Sequence, residues 1–139
     1  MTEAPLPRET LVKILNNLAR GTLLWRSPND SYILDWEGLL SPVRKALRAC
    51  GVDASSHEES YHYSDSDAAE EVRTGVDTLK RLADGGRIHY PSRVLEALLP
   101  AVWLIVDTPR FVDEARAASA VVPVDELSDL YSEGRQALG

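Results

Sequence analysis

The sequence predicts an all-α fold: an irregular bundle of five to six helices around one central apolar helix, with room for a small β-hairpin near residues 22–36. Three observations lead to this prediction. The chain has 139 residues, a common size for one domain with one core, so residues 1–139 are expected to form a single helical domain. Its 44% hydrophobic and 27% charged residues are typical of a globular protein. Apolar residues recur at helical spacing in most segments.

The first predicted helix spans residues 7–20. Pro7 suits a first helical turn, because its missing N–H would have no partner there. Gly21 is placed to end the helix. One face is apolar at the spacing i, i+3, i+4, i+7 and is expected in the core: Leu11, Ile14, Leu15 and Leu18.

Residues 22–40 contain two apolar runs around a turn-forming segment. Residues 23–25 and 32–34 flank residues 27–31, where a proline stands at a position favoured in turns. Two structures fit this pattern, a short β-hairpin or an apolar loop wrapped on the helices. A lone two-stranded hairpin is stable only where something packs on it.

A second helix is expected to begin at Ser41 and Pro42, a cap followed by a first-turn proline, and to close at Gly51. Its apolar face consists of Val43, Ala46, Leu47 and Cys50. Its other side carries a local basic cluster that is expected to face solvent: Arg44, Lys45 and Arg48. As the only cysteine, Cys50 cannot form an internal disulfide, and we expect a buried thiol in a reducing compartment.

The clearest periodic segment begins near Asp67. Asp67 and Glu70 have the spacing of a capping box, and Asp77 can pair with Arg81 one turn later. Gly75 lies inside this helix, where glycine costs about 1 kcal/mol relative to alanine, so a close helix approach would explain it. The apolar positions expected in the core are Ala69, Val72, Val76, Leu79 and Ala83.

Residues 92–106 are apolar nearly all round, which predicts a helix surrounded by other helices. Leu98 is expected in the core, and Pro100 is expected to kink or break the helix. Steps of 100° per residue place Trp103 among the few polar positions, on one stripe. That stripe consists of Arg93, Glu96, Pro100, Trp103 and Asp107.

Two further helices are predicted in the last third of the chain. Thr108 and Pro109 restart a helix whose small side chains imply tight packing. After an apolar link at residues 121–124, Asp125 and Glu126 occupy a first turn, where negative charge is favourable. One face of this last helix is apolar: Leu127, Leu130, Tyr131 and Leu138.

The net charge of −7 is unevenly distributed. Residues 53–67 contain five acids and no lysine or arginine, whereas residues 1–52 carry a small positive excess. Such a chain repels polyanions, so we expect a partner with a basic surface and no nucleic-acid partner. No secretory signal is recognised, and the most apolar segment, residues 94–106, is shorter than the ~20 residues that cross a bilayer. We therefore expect a cytoplasmic protein without a membrane partner.

Metal and cofactor motifs are sparse. His57 precedes a single Glu-x-x-His spacing formed by Glu59 and His62, but di-iron bundles need two such copies and zinc sites need three or four ligands. The third histidine, His89, lies in a different connection. Glycine-rich phosphate loops, nucleophile elbows and cysteine pairs are also missing from the sequence. We therefore assign no metal site, no cofactor and no catalytic residue from the sequence.

The function favoured by the sequence is a non-catalytic protein-binding module, such as a small acidic inhibitor, an immunity or antitoxin-like protein, or an adaptor. Carboxylates steer a basic partner and tyrosines anchor it. The candidate partner-binding residues combine the two: Glu58, Glu59, Tyr61, Tyr63, Asp65 and Asp67. Simple disorder of an acidic loop explains the same composition equally well.

The alternative function is a small helical-bundle enzyme or ligand-binding protein with a site between helices. Its candidate residues are Glu96, Trp103 and His89. Glu96 is the one acid in a strongly apolar segment, and a buried carboxylate there would suit a general base. A half-exposed carboxylate beside Arg93 is the simpler interpretation of Glu96.

Overall fold

The computed structural model describes residues 6–23, 34–52, 65–108, 111, 113–114, 117 and 124–139. Five α-helices have defined bounds within these ranges: α1 (Pro7–Asn17), α2 (Trp36–Ala49), α3 (Asp65–Asp84), α4 (Pro91–Val106) and α5 (Val124–Leu138). These ranges contain no strand. The prediction of an all-α bundle is confirmed, with five helices.

The central helix is α4, which packs against α2, α5 and α1. Half of its residues are buried: Val94, Leu95, Ala97, Leu98, Leu99, Ala101, Val102 and Ile105. Leu98 and Leu79 of α3 are both fully buried, so the two core predictions are confirmed. Pro100 removes one intrahelical hydrogen bond, yet α4 continues through it. Helices packed on three sides of α4 hold the segment together across the proline.

α1 begins at Pro7 as predicted, but Gly21 does not end the helical segment. The chain continues in a π-helical turn over Leu18–Thr22, in which the N–H of Leu23 donates to the carbonyl of Leu18 at 3.1 Å. The hydroxyl of Thr22 donates to Oδ1 of Asn17 at 2.7 Å, and both side chains are buried. This buried polar pair stabilises the wider turn. A glycine in the sequence therefore does not by itself end the helical segment here.

α2 begins at Trp36 rather than at Ser41, because Asp35 supplies the cap. Oδ1 of Asp35 accepts a hydrogen bond from the backbone N–H of Gly38 at 3.0 Å. Pro42 consequently lies inside the helix. A serine followed by proline resembles a helix start in sequence, but the cap one turn earlier determines the boundary.

The β-hairpin predicted near residues 22–36 is not borne out at its described ends. Thr22 belongs to the π-helical turn and Trp36 begins α2, while residues 24–33 lie outside the described residues. Leu23 and Leu34, expected in the two strands, are instead buried core residues that flank helical segments. Leu23 and Leu34, one from each apolar run, therefore pack in the core of the helical bundle.

Gly51 closes α2 as predicted, with φ at +82°. The N–H of Gly51 donates to the carbonyl of Arg48 at 2.9 Å, and the N–H of Val52 donates to that of Leu47 at 3.0 Å. This pair of bonds is a Schellman motif, which needs a left-handed residue that glycine adopts without strain. Cys50 is half-buried next to it, and burial raises the pKa of its thiol.

α2 and α3 approach each other closely where Gly75 faces Val43. A Cβ on Gly75 would lie 2.6 Å from Cγ1 of Val43, so the missing side chain permits the contact. Arg44 was expected in a solvent-facing basic cluster but instead bonds Glu71 of α3, with Nη2 and Oε2 2.8 Å apart. The other two cations of that cluster are exposed, as predicted.

α3 begins at Asp65, two residues before the predicted capping box at Asp67. Arg81 pairs with Asp77 one turn earlier, as predicted. Helix ends vary by one or two residues with small changes in local hydrogen bonding, so this difference does not alter the predicted face.

Arg73 connects α3 to the ends of two other helical segments. Its Nε donates to the carbonyl of Leu23 at 2.7 Å. Its guanidinium lies 4.7 Å from the centroid of the Trp36 ring. A charged hydrogen bond and a cation–π contact therefore hold three segments together.

α5 carries Asp125 and Glu126 in its first turn, as predicted. It is joined to α1 by the hydroxyl of Thr10, which donates to Oε2 of Glu133 at 2.7 Å. Between α4 and α5, Phe111 is helical and buried, in agreement with the helix expected after Thr108, although no bounds are defined for it. In the ranges covered, no helix is both long and apolar enough to cross a membrane.

Candidate functional site

The middle of the exposed stripe of α4 lies in the floor of an open groove. Every residue of the predicted stripe is exposed: Arg93, Glu96, Pro100, Trp103 and Asp107. Residues away from this stripe, such as Leu95 and Leu98, are fully buried. α4 is therefore an interior helix that reaches the surface along a single line.

Two other helices form the walls of this groove, which we call the Trp103 groove. α2 contributes Gly38, Ser41 and Pro42 from its first half, and α5 contributes Tyr131, Arg135 and Leu138 from its second half. The floor consists of Glu96, Leu99, Pro100, Trp103 and Leu104. The groove has a volume of about 670 Å³ and is open to solvent, a size typical of ligand or side-chain recognition sites.

An aromatic and cationic cluster lies along one wall. The rings of Trp103 and Tyr131 have centroids 5.2 Å apart and are tilted by 41°. Arg135 lies 5.9 Å from the Tyr131 ring centroid, and its Nη1 donates to the Tyr131 hydroxyl at 3.2 Å. Trp103 nevertheless keeps 47% of its surface exposed, so the cluster supports this side chain without covering it.

The close packing of α5 on α4 depends on Gly134. A Cβ at this position would lie 2.8 Å from Cδ2 of Leu99. Without that Cβ, α5 can approach α4 closely enough to bring Tyr131 against Trp103. The aromatic pair is therefore a consequence of a small residue three positions along the same helix.

Two prolines inside helices line the groove, Pro42 in the α2 wall and Pro100 in the floor. Proline has no N–H, so the carbonyl four residues earlier loses its usual helical partner. Pro42 has this effect on the carbonyl of Gly38, and Pro100 has it on the carbonyl of Glu96; all four residues line the groove. Because Gly38 has no side chain, the groove wall there is main chain. The residues that line the groove thus include two whose carbonyls lack their usual helical N–H partner.

A second depression, of about 650 Å³, continues the groove toward the start of α4. Its lining adds four residues, Ser92, Gln136, Ala137 and Gly139, to three that it shares with the Trp103 groove, Glu96, Arg135 and Leu138. Glu96 and Arg135 are the charged side chains lining both depressions. The two depressions are therefore adjacent, with one acid and one base at the residues that they share.

The structure places the sequence-predicted residues in three different situations. Glu96 and Trp103 of the alternative ligand site lie together in the Trp103 groove, whereas His89 is exposed in the α3–α4 connection and lines neither depression. Of the candidate partner-binding residues, Asp67 is exposed near the start of α3. Asp65 is its first residue, with an undescribed side chain, and Glu58, Glu59, Tyr61 and Tyr63 lie outside the described residues.

Sequence reasoning missed Tyr131 and Arg135 as groove residues. Their spacing of four places them on one face of α5, but Tyr131 was expected in the apolar core. Pro42 was missed because it was interpreted as a helix start. A tyrosine and an arginine one turn apart, next to a glycine, were the signals available in the sequence.

Buried polar chemistry is limited within the ranges that the structure covers. No buried side-chain nitrogen or oxygen there lacks a hydrogen-bond partner. The same ranges contain no group of three or more histidine, cysteine or acidic residues that could hold a metal ion; His57, Glu59 and His62 lie outside them.

In comparisons with protein-family models, curated proteins and solved structures, nothing matches this chain.

Proposed function

We propose that this protein is a non-catalytic binding module that acts by stoichiometric binding to a protein partner with a basic surface. Small inhibitors, immunity or antitoxin-like proteins and adaptors act in this way. The observation that carries the proposal is the combination of a large buried apolar core with an exposed tryptophan in an open groove. An enzyme site is instead expected to be a cleft or cavity into which several polar groups converge.

The charge of the chain supports a basic partner. Five of the seven excess negative charges fall in residues 53–67, where Tyr61 and Tyr63 stand between acids. Rim carboxylates of this kind raise the association rate with a basic surface, and tyrosines slow dissociation once they are buried. The two residue types are thus expected to affect different rate constants.

The test begins with the purified chain as bait in extracts of its source organism. A captured partner is then purified, and the mass of the complex is measured by light scattering to obtain its stoichiometry. Binding kinetics are compared for wild type, for a variant with all five acids of residues 53–67 neutralised, and for Tyr61→Ala combined with Tyr63→Ala. The expected results are slower, less salt-sensitive association in the first variant and faster dissociation in the second.

A matched control neutralises acids elsewhere on the surface. The five exposed acids chosen are Glu9, Glu70, Asp113, Glu126 and Asp129, and their replacement by amides removes the same number of negative charges without touching residues 53–67. Equal effects of both sets would mean that only total charge matters. Unaltered kinetics in the acid and tyrosine variants would eliminate residues 53–67 as the contact surface.

A second candidate function is small-molecule binding in the Trp103 groove. It is favoured by one observation, the joint presence of Glu96 and Trp103 in a groove of about 670 Å³. A screen of metabolites by thermal shift tests it, because a ligand at 100 times its Kd stabilises the folded state by about 2.7 kcal/mol. A compound that shifts the Tm of wild type but not of Trp103→Ala would support this function.

A further inference from the structure

Three side chains of the Trp103 groove belong to the residue types most enriched at binding hot spots: Trp103, Tyr131 and Arg135. We propose that the groove binds an amphipathic helix of the protein partner, with an apolar residue over Trp103 and a lysine or arginine beside Glu96. This inference rests on the protein-binding function proposed above. It gives that function a contact surface separate from residues 53–67.

The shape of the groove fits a helix. Its floor includes the middle of the exposed stripe of α4, and its walls belong to α2 and α5. A helix lying along α4 would insert a ridge of side chains between the two walls, as amphipathic helices do in apolar grooves. Such a helix would cover Trp103, which is 47% exposed in the free protein.

Glu96 is the acidic side chain that lines the groove, and it favours a basic residue on that helix. Arg135 is already engaged with Tyr131 through a hydrogen bond and a cation–π contact. Among the described residues, no hydrogen bond or ion pair occupies the carboxylate of Glu96. Glu96 is therefore the charge in the groove that is free to pair with an incoming cation.

The freed carbonyls strengthen this preference. Pro42 and Pro100 leave the carbonyls of Gly38 and Glu96 without their usual helical N–H partners, and these residues line the groove. An ammonium or guanidinium group carries three to five donors and no acceptor. A lysine or arginine side chain can therefore bond the Glu96 carboxylate and still donate to a main-chain oxygen.

The positions of the two anchors define a spacing on the occupant. Glu96 and Trp103 are seven residues apart on α4, a separation of about 10.5 Å along the helix axis. A helix lying parallel or antiparallel to α4 covers the same distance in seven residues. The occupant is thus expected to carry its apolar and basic anchors seven residues apart, in either order.

The experiment uses a displayed library on a fixed helical scaffold, with randomised residues along one face over two turns. Binders are selected against the wild-type chain and sequenced. We expect enrichment of an apolar residue and a lysine or arginine seven positions apart. Trp103→Ala should weaken binding of the selected helices at least about tenfold, as expected for a central tryptophan anchor. Selection against Glu96→Lys should replace the enriched basic residue by an acidic one.

Two exposed positions outside the groove provide matched controls. Tyr90 is 58% exposed and lines neither depression, so Tyr90→Ala removes a comparable exposed aromatic side chain. Glu70 is exposed on α3, which contributes no residue to the groove, so Glu70→Lys makes the same charge change as Glu96→Lys. Both controls should retain wild-type affinity for the selected helices. Circular dichroism melting of each variant verifies folding.

The outcomes separate this inference from the proposed function. Selected helices that bind Trp103→Ala as tightly as wild type would overturn the inference, as would an unchanged basic preference against Glu96→Lys or no enrichment over the scaffold. A natural partner that binds Trp103→Ala normally but fails to bind the acid-neutralised variant would overturn the groove inference and leave the protein-binding function standing. Failure to find any stoichiometric partner would count against the function itself.

Discussion

Gly75→Ala tests the close approach of α2 and α3. Two effects of this substitution oppose each other. Alanine in a helix interior is favoured over glycine by about 1 kcal/mol. Against this, the new Cβ would lie 2.6 Å from Cγ1 of Val43 and 3.4 Å from Cδ1 of Leu47. Val43 is buried and β-branched, so it has few alternative rotamers, and overpacking of this kind costs about 1 to 3 kcal/mol. The cost of the clash is expected to outweigh the gain in helix propensity, so the free energy of unfolding should fall by about 0 to 2 kcal/mol.

A second background isolates the cause of that loss. Val43→Ala removes the atom that the new Cβ would meet, so only the gain in helix propensity should remain. Adding Gly75→Ala to Val43→Ala should then stabilise the protein by up to about 1 kcal/mol. The sign of the same substitution is thus expected to change with the residue at position 43, which corresponds to a coupling energy of about 1 to 3 kcal/mol.

The assay is urea unfolding monitored by far-UV circular dichroism, with all four proteins fitted for the free energy of unfolding and the m-value. Thr74→Ala is the control, because Thr74 is exposed on the same helix and should gain only a few tenths of a kcal/mol. A stabilised Gly75→Ala in the wild-type background would refute the close approach. An equal cost in both backgrounds would show that Val43 is not its cause.

Four further outcomes are expected. Leu98→Ala should lower the free energy of unfolding by about 2 to 5 kcal/mol, since this side chain is fully buried; a loss below ~1 kcal/mol would contradict its position. Thr10→Val removes the hydroxyl bonded to the Glu133 carboxylate at 2.7 Å and should cost about 1 to 2 kcal/mol in the same urea assay. Burial raises the pKa of Cys50, so its alkylation at pH 8 should be slower in the folded than in the urea-unfolded protein. A chelator should leave the Tm unchanged, because residues 57–62 provide one Glu-x-x-His spacing where a metal pair needs two.

The helical character and the core faces could be predicted because they depend on local periodicity. Leu79 and Leu98 were placed in the core from apolar spacing alone, and both are fully buried. The same reasoning places Glu96 and Trp103 on one stripe of α4, and the structure shows both of them exposed. A strong 3.6-residue pattern states which side of a helix faces inward.

The helix boundaries and the walls of the groove could not be predicted, because they depend on longer-range pairing. Gly21 has the sequence signature of a helix end, yet the buried hydrogen bond between Thr22 and Asn17 carries the segment past it. Pro42 has the signature of a helix start, yet Asp35 caps the helix earlier. A residue that can begin or end a helix does so only where the hydrogen bonds of the neighbouring residues allow it.

The Trp103 groove depends on a glycine in the face that α5 packs against α4. Gly134 lets α5 approach Leu99, which brings Tyr131 to 5.2 Å from Trp103 between ring centroids. That contact shields part of an aromatic surface whose full exposure to water would be costly. The free protein can therefore keep a half-exposed tryptophan without unfolding, and the remaining exposed half is the surface available to a partner. The buried face and the proposed binding surface thus lie on opposite sides of α4, so changes at Trp103 should alter binding far more than folding.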